Sequence, residues 1–167
     1  HPFHVTVKTG GMEDGTLAAR DVDAVAVTGA YASHGHSVAA AGGGKMGCLY
    51  PRTATRYHAR TLYANLPAAG AMRAYGSPQI MYALECATED AARAIHMDSV
   101  AFRLTNIVGV FICGTTGESM SLTIDERQRM AEVWRDAIDP HLKLIVHVGH
   151  DCLISSKALA RHAEAIE

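Results

Sequence analysis

Apolar and polar positions alternate along the first part of the chain, which predicts strands there. Residues 4–9 place single valines between polar neighbours, and residues 16–33 continue this alternation over a longer stretch. Both patterns are typical of half-buried strands. Between them, residues 12–15 end in an Asp-Gly pair, a turn signal that closes hairpins. The alternation is lost over residues 34–60, where we expect a long irregular loop, and residues 60–63 predict one more short strand.

Helical spacing begins after this loop, at Ser77-Pro78. Ser77 is a good N-cap, and Pro78 suits the first helical position because its missing N–H is not needed there. The apolar residues that follow at spacings of three and four define one face: Ile80, Leu84, Ala87, Ala91 and Ile95. A shorter second helix is predicted from Asp98. Its apolar positions are Val100, Phe102 and Leu104. Strands followed by helices indicate an α+β fold for residues 1–107.

The pattern changes near Ile107, where a continuous apolar run covers residues 108–113. Such a run is typical of a strand buried on both faces, and residues 144–148 repeat it. Between the two runs, Thr123 and Glu126 have the spacing of a capping box, which predicts the start of a helix. The residues that this helix is predicted to turn inward are Met130, Trp134 and Ala137.

A second helix of this part is predicted to begin at Ser155 or Ser156. Its inward face consists of Leu159, His162, Ala163 and Ile166. Strand, helix, strand and helix with short connections form the repeat of a parallel α/β fold, which we assign to residues 108–167. No Pro-rich, Ser-rich or charged linker separates the two parts, so the change from one pattern to the other is abrupt.

The composition narrows the class of protein. The chain has 167 residues, a net charge of -2 and a pI near 6.6, and these values indicate neither nucleic acid nor an anionic membrane as partner. Hydrophobic residues make up 49% of the chain, yet no apolar run approaches the length of about 20 residues that a membrane helix needs. No export signal is visible in the first residues, so we expect a cytoplasmic protein.

Cysteine and histidine form no recognisable metal site in the sequence. The four cysteines make no CxxC pair and are interpreted as reduced, mostly buried thiols. His34 and His36 are the tight histidine pair, and a zinc site there would need further ligands that the sequence does not place. We therefore predict an ordinary polar loop at this pair and no metal site.

The most informative motif of the chain is Gly70-Ala71-Met72-Arg73-Ala74-Tyr75-Gly76-Ser77-Pro78-Gln79. It resembles the pterin-contacting loop of the xanthine dehydrogenase and aldehyde oxidase family, and residues 8–17 and 101–106 resemble other segments of that family. The resemblance covers residues 1–107 and implies part of the molybdopterin-binding large subunit, with a molybdopterin-type molybdenum cofactor. It also implies a small-molecule substrate and, in the parent family, iron–sulfur and flavin subunits or domains as partners.

The same resemblance implies roles for individual residues. The cofactor-binding residues would be Gly70, Ala71, Met72 and Arg73. Small residues let the backbone approach a bulky cofactor, and Arg73 would lie beside the molybdenum centre. Tyr75 would stack on a flat substrate. Without the family resemblance, Arg73 would be interpreted as capping a loop and Tyr75 as part of the core.

Some positions depart from the family pattern. Ala41 stands where some members carry a substrate-binding Arg, which argues against purine specificity. Glu85 and Glu89 lie on the helix after the motif and do not match the family's catalytic Glu. No catalytic residue is therefore assigned, and we expect an incomplete cofactor site.

The second part carries a different signature. Residues 109–119 resemble the N-acetylneuraminate lyase and dihydrodipicolinate synthase family, and residues 122–127 and 146–149 extend the match. That family forms (β/α)8 barrels with the active site at the carboxyl ends of the strands. Residues 108–167 would then be two βα units of a TIM-type barrel.

This second resemblance also implies residue roles. Thr115 would belong to a proton relay, and Thr116 would bind the carboxylate of pyruvate. Taken without the family, the Gly-Thr-Thr-Gly segment is a plain strand-to-helix turn. Lys143 and Lys157 are not at the position of the family's Schiff-base Lys, so this catalytic set is also incomplete.

The two resemblances together predict a fragment of a molybdenum-dependent hydroxylase or dehydrogenase joined to a lyase-like fragment. Because both catalytic sets are incomplete, we expect the chain to be inactive alone. Two alternatives stay open. The chain could instead serve as a fragment of a pyruvate aldolase, or it could be a truncated or misjoined product without function.

Overall fold

The computed structural model describes residues 2–115 and 117–166. The chain forms two compact units, unit 1 over residues 1–107 and unit 2 over residues 108–167. Each unit contains both strands and helices, as the sequence predicts. Among the described residues, no helix combines the length and the apolar character needed to cross a bilayer.

A three-stranded sheet forms one layer of unit 1. β1 (Phe3–Gly11) pairs antiparallel with β2 (Leu17–Gly29), which pairs parallel with β3 (Ala54–Tyr63) on its other side. The first two predicted strands and the turn between them are confirmed, except that β2 ends at Gly29, four residues before the predicted end. In the turn, Asp14 Oδ1 accepts a hydrogen bond from Thr16 N at 2.9 Å. Alternate side chains of β2 are buried, so one face of the sheet forms part of the core.

The prediction of an irregular loop over residues 34–60 is wrong for most of this stretch. This stretch contains α1 (Gly35–Gly44), a 3-10 turn at Met46–Cys48 and the first residues of β3. α1 is rich in glycine and alanine and has no apolar stripe, so its sequence does not show helical periodicity. Tertiary packing decides the structure there. A Cβ on Gly43 would lie 2.2 Å from the ring of Tyr57, so the close approach of α1 to β3 requires glycine.

α2 (Ser77–Ala94) follows β3 and packs on the sheet. Pro78 lies in its first turn as predicted, but the N-cap is Gly76 rather than Ser77. Gly76 has a left-handed backbone with φ of 89°, a conformation that glycine adopts without a steric penalty. The buried residues of α2 lie four apart: Ile80, Leu84, Thr88 and Ala92. Its buried face therefore departs from the predicted stripe after the first two turns.

α3 (Ser99–Asn106) begins where predicted. Asp98 is its N-cap, and Asp98 Oδ1 accepts a hydrogen bond from Val100 N at 3.0 Å. Phe102 is buried, whereas Val100 and Leu104 are exposed, contrary to the prediction. Residues two apart lie on opposite sides of a helix, so a helix that buries Phe102 exposes both neighbours.

A chain of polar contacts runs from the interior of unit 1 towards its surface. The buried Arg20 guanidinium lies over the ring of Tyr50, 4.8 Å from its centroid. The Tyr50 hydroxyl donates to Glu85 Oε1 at 2.8 Å. Arg103 donates to Glu85 Oε2 at 2.9 Å and to Glu89 Oε2 at 3.1 Å. Both carboxylates of this part of α2 are therefore engaged in ion pairs.

Tyr50 should make the stability of unit 1 fall at high pH. Burial, followed by the hydrogen bond to Glu85, raises the pKa of the Tyr50 hydroxyl from 10.0 to about 12. Because the folded-state pKa is the higher one, this contribution to stability is complete below about pH 10 and is lost as the pH rises through about 12. The unfolding free energy from urea titrations should decline across this range. Tyr50→Phe should flatten the decline, and an equal decline in the variant would contradict the assignment.

Unit 2 alternates strands and helices. β4 (Gly109–Ile112) and β5 (Lys143–Val146) pair in parallel, and each is followed by a helix, α4 (Ile124–Ala137) and α5 (Leu153–Ala165). The predicted order of strand, helix, strand and helix is confirmed. Whether the unit belongs to a TIM-type barrel stays a prediction.

The capping box at the start of α4 is confirmed. Glu126 N donates to Thr123 Oγ1 at 3.2 Å, while Thr123 N donates to Glu126 Oε2 at 2.8 Å. The predicted inward face of α4 is wrong, because the buried residues are Arg127 and Ala131. The residues predicted to face inward are exposed: Met130, Trp134 and Ala137. Hydrophobic periodicity cannot indicate a buried face that contains an arginine.

α5 begins two residues before the predicted Ser155, because its N-cap is Cys152. Its predicted inward residue Leu159 is buried. The prediction that both strands of unit 2 are buried on both faces is wrong, since Phe111 is 58% exposed and Ile145 is 53% exposed. Alternate side chains of a strand point to opposite faces, and the helices of unit 2 pack on one of them.

Candidate functional site

The motif loop, residues 70–76, lies between β3 and α2 in unit 1. The segment that leads into it is held by main-chain hydrogen bonds to the end of β2 and the start of α1. Ala69 N donates to Thr28 O at 2.8 Å, and His34 N donates to Ala69 O at 3.3 Å. The entry of the motif loop is thereby fixed to two other elements of the fold.

The motif loop presents a run of backbone N–H groups to solvent. Residues 70–74 are all exposed, and their N–H groups donate no hydrogen bond within the part of the chain that the structure describes. Met72 is 80% exposed. Arg73 is exposed as well and forms no ion pair with any described residue. The structure therefore brings Gly70, Ala71, Met72 and Arg73 together on one open segment.

The exit of the motif loop has an unusual backbone. Ala74, Tyr75 and Gly76 all have positive φ, of 70°, 45° and 89°. Turn hydrogen bonds close this exit, from Tyr75 N to Met72 O and from Ser77 N to Ala74 O, both at 2.9 Å. Non-glycine residues adopt this conformation at a cost in free energy, so contacts from elsewhere must hold it.

Tyr75 has a partner that sequence reasoning missed. Its hydroxyl lies 2.6 Å from His34 Nδ1, and the two rings meet edge to face with centroids 5.7 Å apart. His34 was predicted to lie in an ordinary polar loop, but it is the N-cap residue of α1. No local pattern in the sequence links two residues separated by 41 positions.

The described histidines and cysteines form no metal-binding cluster. His34 contacts Tyr75, and His36 contacts Thr61 through its Nδ1. Within residues 2–115 and 117–166, no three His, Cys, Asp or Glu side chains are grouped so that they could hold a metal ion. The prediction that most cysteines are buried is wrong, because Cys113 is buried and the other three are exposed. The three exposed cysteines are Cys48, Cys86 and Cys152.

In unit 2, the predicted site residue Thr115 falls in the turn after β4. Thr115 is exposed, and its carbonyl oxygen accepts a hydrogen bond from Glu118 N at 3.2 Å. Thr116 lies outside the described residues. Cys113 and Glu118 both have positive φ, of 53° and 54°.

Arg127 holds the loop that follows β5 through hydrogen bonds to its backbone. It is 1% exposed and donates to His147 O at 2.5 Å and to Gly149 O at 2.9 Å. Ile112 and Val146 are register partners at the ends of the two parallel strands. The loop with Thr115 and the loop held by Arg127 therefore leave the same edge of the sheet.

The two lysines considered at the sequence level lie on β5 and on α5. Lys143 is exposed at the amino end of β5, opposite to the end that carries the loops. Lys157 is exposed on α5.

Comparison with known proteins relates unit 1 to molybdenum enzymes. The sequence model of the molybdopterin cofactor-binding domain family matches residues 1–107. The putative xanthine dehydrogenase molybdenum-binding subunit of Escherichia coli K12 is 51% identical over 106 residues, which are 64% of this chain and 14% of that protein. The aldehyde oxidoreductase of Desulfovibrio gigas matches with a TM-score of 0.60 at 24% identity, over 83% of this chain and 16% of that one. The structural likeness shows the fold alone.

Unit 2 is similar to a different group of enzymes. The sequence model of the dihydrodipicolinate synthetase family matches residues 92–166. The N-acetylneuraminate lyase of Gallus gallus is 47% identical over 62 residues, which are 36% of this chain and 20% of that protein. Both resemblances inferred from the sequence motifs are therefore confirmed, and this chain spans a small share of the length of each relative.

Proposed function

Over residues 1–107 the chain belongs to the molybdopterin cofactor-binding domain family, and we propose that this segment forms a cofactor-contacting part of a molybdenum-dependent hydroxylase or dehydrogenase. By resemblance, the cofactor is a molybdopterin-type molybdenum cofactor, which supplies the redox chemistry when it is bound. The contribution of the chain is then to bind and orient that group and its substrate.

The open N–H groups of the motif loop are the observation that carries this proposal. Molybdopterin bears a phosphate and a pterin ring, and both offer many hydrogen-bonding atoms. Residues 70–73 supply unpaired N–H donors, and Arg73 adds a positive charge without a partner among the described residues. Backbone N–H groups beside a guanidinium suit an anionic ligand. A Cβ on Gly70 would meet nothing within 4 Å, so there is free space beside the loop.

Tyr75 is the proposed contact for a small, flat substrate. Its ring is half-buried at the exit of the motif loop, next to the residues proposed to bind the cofactor. An aromatic ring in this position offers stacking, which is worth about 0.5–1.5 kcal/mol beyond the burial of its surface. Stacking recognises flatness rather than a particular pattern of polar groups, so this proposal names a class of substrate.

We assign no catalytic base to this chain. Glu85 and Glu89 both accept from Arg103, and Glu85 also accepts from Tyr50, so both carboxylates serve contacts within unit 1. The proposed role of unit 1 ends at binding and positioning, and we expect no turnover by the chain alone. Iron–sulfur and flavin components of the parent family are the proposed partners that would accept the electrons.

Arg73→Ala should lower the molybdenum content of the purified chain. We expect a loss of about tenfold after expression in a host that makes molybdopterin, because alanine removes a charged hydrogen-bond donor. Arg93→Ala is the matched control, since Arg93 is an exposed arginine paired with Asp90. Molybdenum per chain is measured by mass spectrometry. A chain without bound molybdenum before any substitution would overturn the proposal.

Unit 2 supports a second candidate function, as part of a pyruvate-dependent lyase. The similarity to N-acetylneuraminate lyase favours it. Under this proposal Thr115 belongs to a proton relay, and Thr116 binds the carboxylate of pyruvate. The position of Thr115 at the carboxyl end of β4 supports the proposal, because barrel enzymes of this kind carry their active sites at that end.

Borohydride reduction in the presence of pyruvate should give no covalent adduct on this chain. A Schiff-base lysine needs a desolvated or cationic environment that makes its amine nucleophilic. Lys143 and Lys157 are both exposed instead. Intact-mass measurement reads out the result, with a complete N-acetylneuraminate lyase as the positive control. An adduct that Lys143→Arg or Lys157→Arg abolishes would show that this chain has a working lysine.

We further propose that the chain joins pieces of two enzymes near residues 107–109. The abrupt change of pattern there, without a linker, motivates this proposal. Long-read sequencing of the gene across the junction is the test. A continuous reading frame with complete domains on both sides would contradict a misjoined product.

A further inference from the structure

We infer that His34 is a positioning residue that holds the motif loop in the conformation required for cofactor binding. This inference rests on the proposed function of unit 1, and it concerns a residue outside the motif. The juxtaposition that carries it is the pairing of the His34 imidazole with the Tyr75 hydroxyl at 2.6 Å.

His34 contacts both ends of the motif loop. Its backbone N–H donates to Ala69 O, directly before the loop, and its side chain meets Tyr75 at the exit. Its own carbonyl oxygen accepts from Val38 N at 2.9 Å, which fixes His34 to the first turn of α1. The exposed residues 70–74 are therefore bracketed by contacts with one residue of a regular helix.

The left-handed backbone at the exit needs contacts from elsewhere in the fold, and the contact between His34 and Tyr75, here called the clamp, supplies one of them. Ala74 and Tyr75 have positive φ without being glycines, a conformation that persists where surrounding contacts hold it. The turn hydrogen bonds of the loop are local, and they do not fix the direction in which the loop leaves the fold. The edge-to-face contact with His34 fixes the plane of the Tyr75 ring as well as the position of its hydroxyl.

The consequence is that the free N–H groups of residues 70–73 are ordered before a ligand arrives. A ligand then does not have to order the loop on binding, and this preorganisation raises affinity. Loss of the His34 side chain should loosen the loop while leaving the sheet and its core contacts in place.

Amide hydrogen exchange of the 167-residue chain tests the clamp directly. In His34→Ala, exchange of the two amides that close the exit turn, Tyr75 N–H and Ser77 N–H, should speed up about fivefold, as expected for the loss of one hydrogen bond. Val22 in the core of the sheet should exchange as before. His34→Asn should restore slow exchange, because its side-chain oxygen can take the place of Nδ1.

Two further variants keep the test specific. His36→Ala is the matched control, since His36 lies on the same helix but contacts Thr61. It should leave both turn amides unchanged. Tyr75→Phe removes the hydroxyl alone and should reproduce the faster exchange of Ser77 N–H. Unchanged exchange in both His34→Ala and Tyr75→Phe would overturn the inference, as would the same acceleration in His36→Ala.

The molybdenum content of the same variants links the clamp to cofactor binding. His34→Ala should lower molybdenum per chain about fivefold, and His34→Asn should restore it. Faster amide exchange in His34→Ala without any change in its molybdenum content would show that the contact between His34 and Tyr75 does not contribute to cofactor binding. If the unsubstituted chain carries no molybdenum, the proposed function fails, while the exchange measurements still decide whether His34 holds Tyr75. The two failures are therefore distinguishable.

Discussion

Replacing Gly76 with alanine should destabilise unit 1 by about 3 kcal/mol, because the position combines a left-handed backbone with a tight contact between helices. The φ of Gly76 is 89°, and a Cβ there would lie 2.2 Å from Val38 O. This oxygen belongs to the backbone of α1 and cannot rotate away. Relief of the clash would have to separate α1 from the start of α2, and the motif loop would move with them.

Urea titration monitored by resolved NMR signals of unit 1 measures this effect. Trp134 is the one tryptophan of the chain and lies in unit 2, so its fluorescence should keep its original transition. Gly44→Ala is the matched control, because a Cβ there meets nothing within 4 Å. That change lies in α1 and should be neutral or stabilising by up to about 1 kcal/mol. Equal unfolding free energies of Gly76→Ala and Gly44→Ala would show that α1 does not pack tightly against Gly76.

Replacing Arg127 with methionine should destabilise unit 2 by about 3 kcal/mol. The Arg127 side chain is 1% exposed and donates to the carbonyl oxygens of His147 and Gly149. Methionine fills much of the same volume but has no donor, so both carbonyl oxygens lose their charged partner. Arg127→Lys should recover part of the loss, since one ammonium group does not reproduce the planar fork of a guanidinium.

Trp134 fluorescence during urea unfolding reports on this unit, because Trp134 lies on α4 with Arg127. Arg129→Met is the matched control on the same helix. The Arg129 side chain is 74% exposed and pairs with Glu132 at 3.3 Å, so its loss should change stability by no more than about 0.5 kcal/mol. A similar small effect of Arg127→Met would mean that the loop after β5 does not depend on the buried guanidinium.

Features that rest on contacts between near neighbours in the sequence were predicted well. The turn at Asp14, the start of α3 at Asp98 and the capping box of Thr123 and Glu126 each depend on hydrogen bonds that span two or three positions. Such contacts are encoded by residue type and spacing alone. The same holds for β1 and β2, whose alternation of apolar and polar residues matches the period of a strand.

In the candidate site, too, the local features were predicted and the contacts between distant residues were not. The sequence motif located the loop that contains Gly70, Arg73 and Tyr75, and the structure brings these residues to one open segment. The motif did not indicate His34, because the contact with Tyr75 joins positions 41 apart. It also did not indicate that Gly76, rather than Ser77, caps α2, since the choice depends on how closely α1 approaches.

The family motifs, the order of most strands and helices, the start of α3 and the capping box of α4 could thus be predicted from the amino-acid sequence. The helix over the glycine-rich residues 35–44 and the burial of the charged Arg127 side chain in unit 2 depend on tertiary packing. The physical reason is that local hydrogen bonds and periodicity act over a few residues. Close packing and the burial of a charge depend on partners that folding brings from distant parts of the chain.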